Sequence, residues 1–206
     1  MAEHASAQTP LEQQSEIRVR SQDVNNIQAD YVTLQYGSAA EIQAKTVQVS
    51  QAGAGRIKAE QVEIRQGGAQ TIESDSINVR QGGIVQAHAE QISLTQGGIV
   101  FAETQNASLT ASSAGAVLAG GNVTLDQSIA RAVISRGDIT IDQGGGGIVL
   151  GRTVKTGANS GTVFILAGRI EGDVNAVFGP LSSAAFGAAF GLVLALIIWL
   201  RNRLSS

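Results

Sequence analysis

The sequence contains no cysteine, only 2 prolines, and few aromatic or charged side chains, which make up 4% and 15% of its 206 residues. Without cysteine, disulfide bonds, thiolate metal sites and thiol nucleophiles are excluded. The formal net charge is −3, so no strong positive field attracts nucleic acid, and that class of partner is disfavoured. Both prolines, Pro10 and Pro180, lie near the ends, so nothing between them interrupts strand ladders.

A repeat of 15 or 16 residues fills the chain between the prolines. An apolar residue returns at spacings of 15 six times and then 16, 16, 15 and 16. A second apolar series follows two residues later, from Val19 to Ile141, and such alternation is typical of a strand with one buried face. The first series is Ile17, Val32, Val47, Val62, Ile77, Ile92, Ala107, Val123, Ile139, Val154 and Ile170.

A third apolar series lies ten residues after the first, and small residues such as Ala29 and Ala44 lie two residues further on. Because the same residue type returns at the same offset, the pattern favours a parallel winding over an antiparallel meander. We therefore predict an all-β, single-stack parallel β-solenoid of about ten coils over residues 17–174, on the order of 50 Å long. The third series is Ile27, Ile42, Ile57, Ile72, Ala87, Ala102, Val117, Val133, Val149 and Phe164.

Glutamine recurs four residues after the first apolar position, and glycines follow most of these glutamines. We interpret Gln-Gly-Gly as one corner of the coil, since glycine adopts positive φ without steric cost, and the small residues as a second corner. Stacked glutamines can pass amide hydrogen bonds from coil to coil. The predicted ladder comprises Gln51, Gln66, Gln81, Gln96, Gln127 and Gln143.

The two ends of the chain differ from the repeat. Residues 1–16 form a polar arm that we predict to be disordered, with no signal-peptide pattern. After a linker at 175–180, the twenty residues 181–200 would span roughly 30 Å as a helix, which matches the hydrocarbon thickness of a bilayer. A buried core helix is the alternative. We predict one transmembrane helix, with Trp199 at the interface and Arg201 and Arg203 in a short basic tail, 201–206.

The predicted helix carries small residues at Ser183, Gly187 and Gly191, which would let two helices approach closely in lipid, although small residues are also common in membrane helices. A homo-oligomer is therefore expected. We place the chain in the cell membrane as a single-pass protein with its solenoid in the cytoplasm. The terminal arginines oppose this topology, because positive residues favour the cytoplasmic side.

Catalytic chemistry has little support in the sequence. His4 lies in the polar arm, and His88 is expected at the surface beside a corner. Asp126 and Asp142 share an offset on consecutive coils, with Asp138 close by, but a solvated pair is a simpler interpretation than a cation site. We predict no catalytic, cofactor or metal site, and a protein that is not an enzyme.

The segment EIQAKTVQVSQAGAGRIKAEQVEI, with GRIEGDV at 168–174, resembles the bactofilins, bacterial cytoskeletal proteins that form polymers. The repeat with its apolar C-terminal segment also resembles uncharacterised bacterial membrane-associated repeat proteins. The first resemblance implies end-to-end polymerisation and scaffolding at the membrane. We therefore expect a membrane-anchored scaffold protein. The alternative is a membrane-tethered binding module whose solenoid faces dock an unidentified protein or a lipid headgroup.

Overall fold

The structure, a computed structural model, describes residues 15–172, 175 and 176, and these form strands joined by tight corners. All pairings between these strands are parallel, which confirms the predicted all-β parallel solenoid. The strands are β1 (Glu16–Arg20), β2 (Asp23–Gln28), β3 (Tyr31–Gln35), β4 (Ser38–Gln43), β5 (Thr46–Thr95), β6 (Gly98–Thr110), β7 (Ser113–Ala119), β8 (Val123–Asp126), β9 (Ile129–Ser135), β10 (Asp138–Asp142), β11 (Gly145–Thr156), β12 (Gly161–Gly172) and β13 (Asn175–Ala176).

The predicted transmembrane helix, 181–200, lies outside the described residues, as do residues 1–14 of the predicted arm. Among the residues that are described, no helix has the length and apolar character needed to cross a bilayer.

The first apolar series stacks in register, one residue above the next. Ile17 pairs with Val32, and Val32 pairs with Val47. Where the spacing grows to 16, the pairing is kept, so that Val123 pairs with both Ala107 and Ile139. Changes in coil length are therefore absorbed at the corners, and the ladders run without interruption.

A narrow apolar core runs along the inside of the stack. Leu34, Ile64 and Ile141 in the second series and Ile42 and Ile57 in the third are all fully buried. A fourth inward series, seven residues after the first, was not recognised in the sequence because Ala, Ile, Gly and Thr alternate there. Its members include Ala39, Ala54, Ala69, Ile84, Ile99, Ala114 and Ala130, all buried.

One predicted core position is wrong. Phe164 is 53% exposed and pairs with Ile148, an outward residue, whereas the core residue Val149 pairs with Ile165. Ile141 pairs with Thr156 fifteen residues on, but Gly145 pairs with Gly161 sixteen residues on. The extra residue in this corner shifts every later position by one, so Phe164 faces outward.

The Gln-Gly-Gly corner exists, but its conformation differs from the prediction. The residue with positive φ is the glutamine, with φ of 52° at Gln51, 55° at Gln66 and 58° at Gln81. The following glycine is required for close packing, because a Cβ on Gly82 would lie 2.4 Å from the carbonyl oxygen of Gly67. A Cβ on Gly83 would meet nothing closer than 3.9 Å.

Each coil bends three times and therefore has three outer faces. The predicted small residues, such as half-buried Ala29 and buried Ala89, precede one bend. A bend absent from the prediction separates Ala40 from Glu41, which both point outward between buried Ala39 and Ile42. We call the faces A, B and C. The strands of face A carry the first two apolar series, face B follows the glutamine corner, and face C carries the third series. The bend that follows the small residues separates face C from face A of the next coil.

Candidate functional site

The glutamine corner forms a ladder of amide hydrogen bonds along the solenoid. Nε2 of Gln51 donates to Oε1 of Gln66 at 2.9 Å, Gln66 donates to Gln81 at 3.1 Å, and Gln81 donates to Gln96 at 3.2 Å. Ala111 occupies the next corner, and the ladder stops there because alanine has no side-chain amide. Beyond it, Gln127 and Gln143 are 3.5 Å apart. Each amide offsets part of the cost of a left-handed backbone by bonding its neighbour.

Buried serines replace glycine or alanine after the corner in the C-terminal coils. Ser128 is fully buried, and its hydroxyl accepts the N–H of Ser112 at 3.0 Å while lying 2.8 Å from the carbonyl oxygen of Asp126. Ser160 donates to the carbonyl oxygen of Ile141 at 3.0 Å. These hydroxyls are used for bonding within and between coils and are closed to solvent. Their signal in the sequence is a serine one residue after the corner position.

An open groove of about 560 Å³ lies where face C meets the bend that follows the small residues. Nδ1 of His88 lies 3.3 Å from Oε2 of Glu103, and both side chains are more than half exposed. Asp75, Glu90 and Arg136 add charge of both signs to the lining. The sequence placed His88 at the surface beside a corner, and the structure agrees, but its pairing with Glu103 depends on stacking of adjacent coils.

Hydroxyl groups that line the groove are occupied by backbone carbonyls. Ser74 donates to the carbonyl oxygen of Ser76 at 3.1 Å, and Oγ1 of Thr104 lies 2.9 Å from that of Asn106. The imidazole and the carboxylate can form hydrogen bonds with polar groups of a ligand. The groove as described therefore suits reversible binding of a polar ligand.

The aspartates singled out in the sequence lie on adjacent strands. Asp126 pairs with Asp142 in the β8–β10 register, and Asp138 begins β10. Nε of Arg152 lies 3.9 Å from Oδ1 of Asp138. Among residues 15–172, 175 and 176, no three His, Asp or Glu side chains are grouped closely enough to hold a metal ion.

Face C changes from polar to apolar along the solenoid. Its outward pairs begin with Asn26 and Gln28, followed by Glu41 and Gln43, which stack under Arg56 and Lys58. From the coil of Ala116 and Leu118 onward, each outward pair is apolar, and the pairs stack in register. We call these eight residues the apolar patch: Ala116, Leu118, Ala132, Ile134, Ile148, Leu150, Phe164 and Leu166.

Exposure within the apolar patch is greatest in the last described coil, whereas Leu150 is half-buried. Ile134 is 44% exposed, Ile148 49%, Phe164 53% and Leu166 60%. A set of large apolar side chains in register on an open face is unusual for a soluble surface and marks an interaction site. The sequence-based prediction does not include this patch, because it uses the inward positions alone. The regular spacing of four outward residues is nevertheless visible in the sequence: Leu118, Ile134, Leu150 and Leu166.

The remaining predicted site residues fall outside the described part of the chain: Ser183, Gly187, Gly191, Trp199, Arg201 and Arg203. The protein belongs to the structural class of parallel β-solenoids, with an open polar groove and an apolar patch on one face. No protein-family model matches the chain, and no curated protein or solved structure matches it either.

Proposed function

We propose that the protein is a membrane-tethered β-solenoid scaffold that does not act as an enzyme. The observation that carries the proposal is that the recurring polar groups of the repeat serve to join coil to coil. The glutamine ladder and buried Ser112 and Ser128 are examples. A repeat whose recurring polar groups are used for stacking favours a mechanical role over a catalytic one.

Self-association is supported by the edge of the last described coil, which the other described strands cover only in part. Strand β12 pairs with β13 only at Gly161 and Thr162, and Ile170 is 45% exposed. Among the described residues, no strand pairs with the far edge from Val163 to Gly172. An open strand edge is a template for another strand, so end-to-end assembly of the bactofilin kind is the expected mode.

The tether is supported only by the twenty uncharged, predominantly apolar residues 181–200. The test compares the full-length chain with a Leu192→Arg/Leu196→Arg variant after alkaline carbonate extraction of membranes. Each arginine at a helix centre costs roughly 2.5–3.5 kcal/mol on insertion scales, so the variant should leave the membrane fraction. The Leu192→Ala/Leu196→Ala variant is the control and should stay. Retention of the arginine variant, or extraction of the unmodified chain, would contradict the tether.

Assembly is tested separately on the detergent-solubilised full-length chain by electron microscopy and sedimentation. Filaments or a ladder of oligomers are expected. Exchange of Gly187 and Gly191 for Ile should reduce pairing if helices mediate it, and should leave filaments unchanged if coil edges do. A monodisperse single chain would contradict the scaffold proposal.

The groove at His88 and Glu103 favours a second candidate, a membrane-tethered binding module for a polar partner. Capture of one defined partner by the full-length chain, lost in a Glu103→Ala variant and kept in a Gln43→Ala variant on the same face, would favour this module over the scaffold.

A further inference from the structure

We propose that the apolar patch on face C lies against the interface of an anionic lipid bilayer, so that the C-terminal coils rest on the membrane surface. This inference rests on the proposed membrane location and adds a second, independent contact to the tether. Three features carry it: the satisfied backbone of the face, the charges that flank the patch, and its small area.

Backbone groups on face C are hydrogen-bonded to the coils above and below as far as β11, and those of β12 at Phe164 and Leu166 are paired with β11. The β7, β9, β11 and β12 segments pair in sequence at Ala116, Ala132, Ile148 and Phe164. Free N–H and C=O groups are the main cost of bringing a β-surface into an apolar medium. Where neighbouring strands are paired, only side chains are left to contact the bilayer. Six of the eight patch residues are larger than alanine.

Charge changes sign along the bend beside face C. In the N-terminal half, this bend carries the exposed residues Glu60, Asp75 and Glu90. Its one cation among the described residues of that half, Lys45, is paired with Asp30. Beside the patch, the same bend carries Arg136 and Arg152, and Arg131 flanks the opposite edge next to Ala132. Arg131 and Arg136 form no ion pair within residues 15–172, whereas Arg152 lies 3.9 Å from Asp138. Arginines can extend their apolar stems beside a membrane-seated surface and place their guanidinium groups among lipid phosphates.

Face A of the same coils carries charges of both signs, since Lys155 lies there in the β10–β11 register. Asp126 and Asp142 lie there, away from the patch. An anionic membrane surface attracts the arginine-flanked patch and repels the acidic half of the bend. The charge pattern therefore favours an anionic bilayer over a neutral one and sets which coils approach it.

The area of the patch argues against a second copy of the chain as its occupant. Four coils at about 4.8 Å spacing and three residues of strand at about 3.3 Å cover on the order of 200 Å². A stable protein interface buries about 800 Å² on each partner. A bilayer contact needs no such area when the chain is already held nearby and electrostatic attraction adds to it.

The absence of cysteine allows a direct test on the full-length chain. An Ile148→Cys variant and a Gln86→Cys variant each carry one environment-sensitive fluorophore. The two positions share one outward register through Phe101, Ala116 and Ala132, and both residues are exposed. Each is placed in vesicles of phosphatidylcholine with phosphatidylglycerol, or of phosphatidylcholine alone, with acyl chains that carry bromine as a quencher.

We expect the label at position 148 to shift to the blue and to be quenched in anionic vesicles, and the label at 86 to stay in water. The Arg131→Gln/Arg136→Gln variant should lose most of the difference between the two lipid compositions. Equal exposure of the labels at 148 and 86 in anionic vesicles would overturn the proposal.

Two other outcomes would also overturn it by identifying another occupant. A blue shift at position 148 without quenching by the brominated acyl chains would identify a protein segment of this chain. Protection that falls as the chain is diluted in the bilayer would identify a second copy. Carbonate extraction of the same samples tests membrane anchoring by residues 181–200 separately. Failure of the proposed tether can therefore be distinguished from failure of the proposed contact between the apolar patch and the bilayer.

Discussion

The two halves of face C share one core and carry different surfaces. Beneath Arg56 and Lys58, the inward residue is Ile57, and beneath Ile148 and Leu150 it is Val149, both fully buried. The parallel pairing is the same in both halves. Since inward positions alone fix the winding, outward positions are free to specify partners. A solenoid can therefore change from a water-facing to an apolar surface along one face without changing its fold.

The first prediction tests whether the core is equivalent in the two halves. Ile57→Ala and Ile139→Ala each remove a fully buried side chain and should cost about 2–5 kcal/mol of unfolding free energy. Ile148→Ala, on the exposed apolar patch, should change stability by no more than about 0.5 kcal/mol. Urea unfolding of the full-length chain, followed by circular dichroism, measures all three.

If Ile139→Ala were tolerated as well as Ile148→Ala, the C-terminal coils would not share the packing of the N-terminal ones. The comparison between halves would then concern the fold as well as the surface.

The inward positions could be predicted because apolar residues recur there at a fixed spacing. Val32, Val47 and their equivalents recur at a fixed spacing, and stacking places equal offsets in contact. The left-handed glutamines were not predicted, since glycine is the usual residue at positive φ and stood next to them. Their amide ladder compensates for a conformation that single-residue preferences disfavour.

The candidate surfaces were harder to predict than the core. The His88–Glu103 pair joins residues fifteen positions apart, so it requires the register before it can be recognised. Phe164 was assigned to the core because the extra residue before it lies in a corner with no regular pattern. The spacing of Leu118, Ile134, Leu150 and Leu166 is present in the sequence, but outward leucine and isoleucine do not differ in type from those of the core.

The second prediction compares the glutamine ladder in the two halves. Gln66→Ala removes bonds to Gln51 and Gln81 at 2.9 and 3.1 Å and should cost about 1 kcal/mol. Gln127→Ala removes one contact at 3.5 Å and should cost clearly less. Both changes keep a non-glycine residue at positive φ, 55° and 49°, so backbone strain is matched.

Thermal unfolding of the two variants beside the unmodified chain measures this difference. Equal losses of stability would mean that the ladder contributes little, and that the cost reflects the glutamine side chain at each corner.

The third and smallest effect concerns the first described coils, where a carboxylate joins three successive turns. Asp30 accepts the N–H of Ser15 at 3.0 Å and lies 3.0 Å from Nζ of Lys45. The backbone hydrogen bond from Ser15 and then Lys45 hold the pKa of Asp30 below its ordinary value. A carboxylate with a lowered pKa stabilises the fold above its unfolded pKa of roughly 3.9, and this contribution is lost as pH falls through the folded pKa.

Hydrogen exchange at Tyr31, whose N–H donates to the carbonyl oxygen of Ser15, reports on this junction. Protection should be full at pH 5 and should fall at a pH below the ordinary aspartate range, while Asp30→Asn should lower it at pH 5 already. Asp75→Asn is the matched control, because Asp75 has the same offset but no hydrogen bond or ion pair in the described structure. If the control loosened Tyr31 as much as Asp30→Asn, the effect would come from net charge along the bend. A loss specific to Asp30 would show that an ionic contact holds the N-terminal coils together, in contrast to the apolar face C of the C-terminal coils.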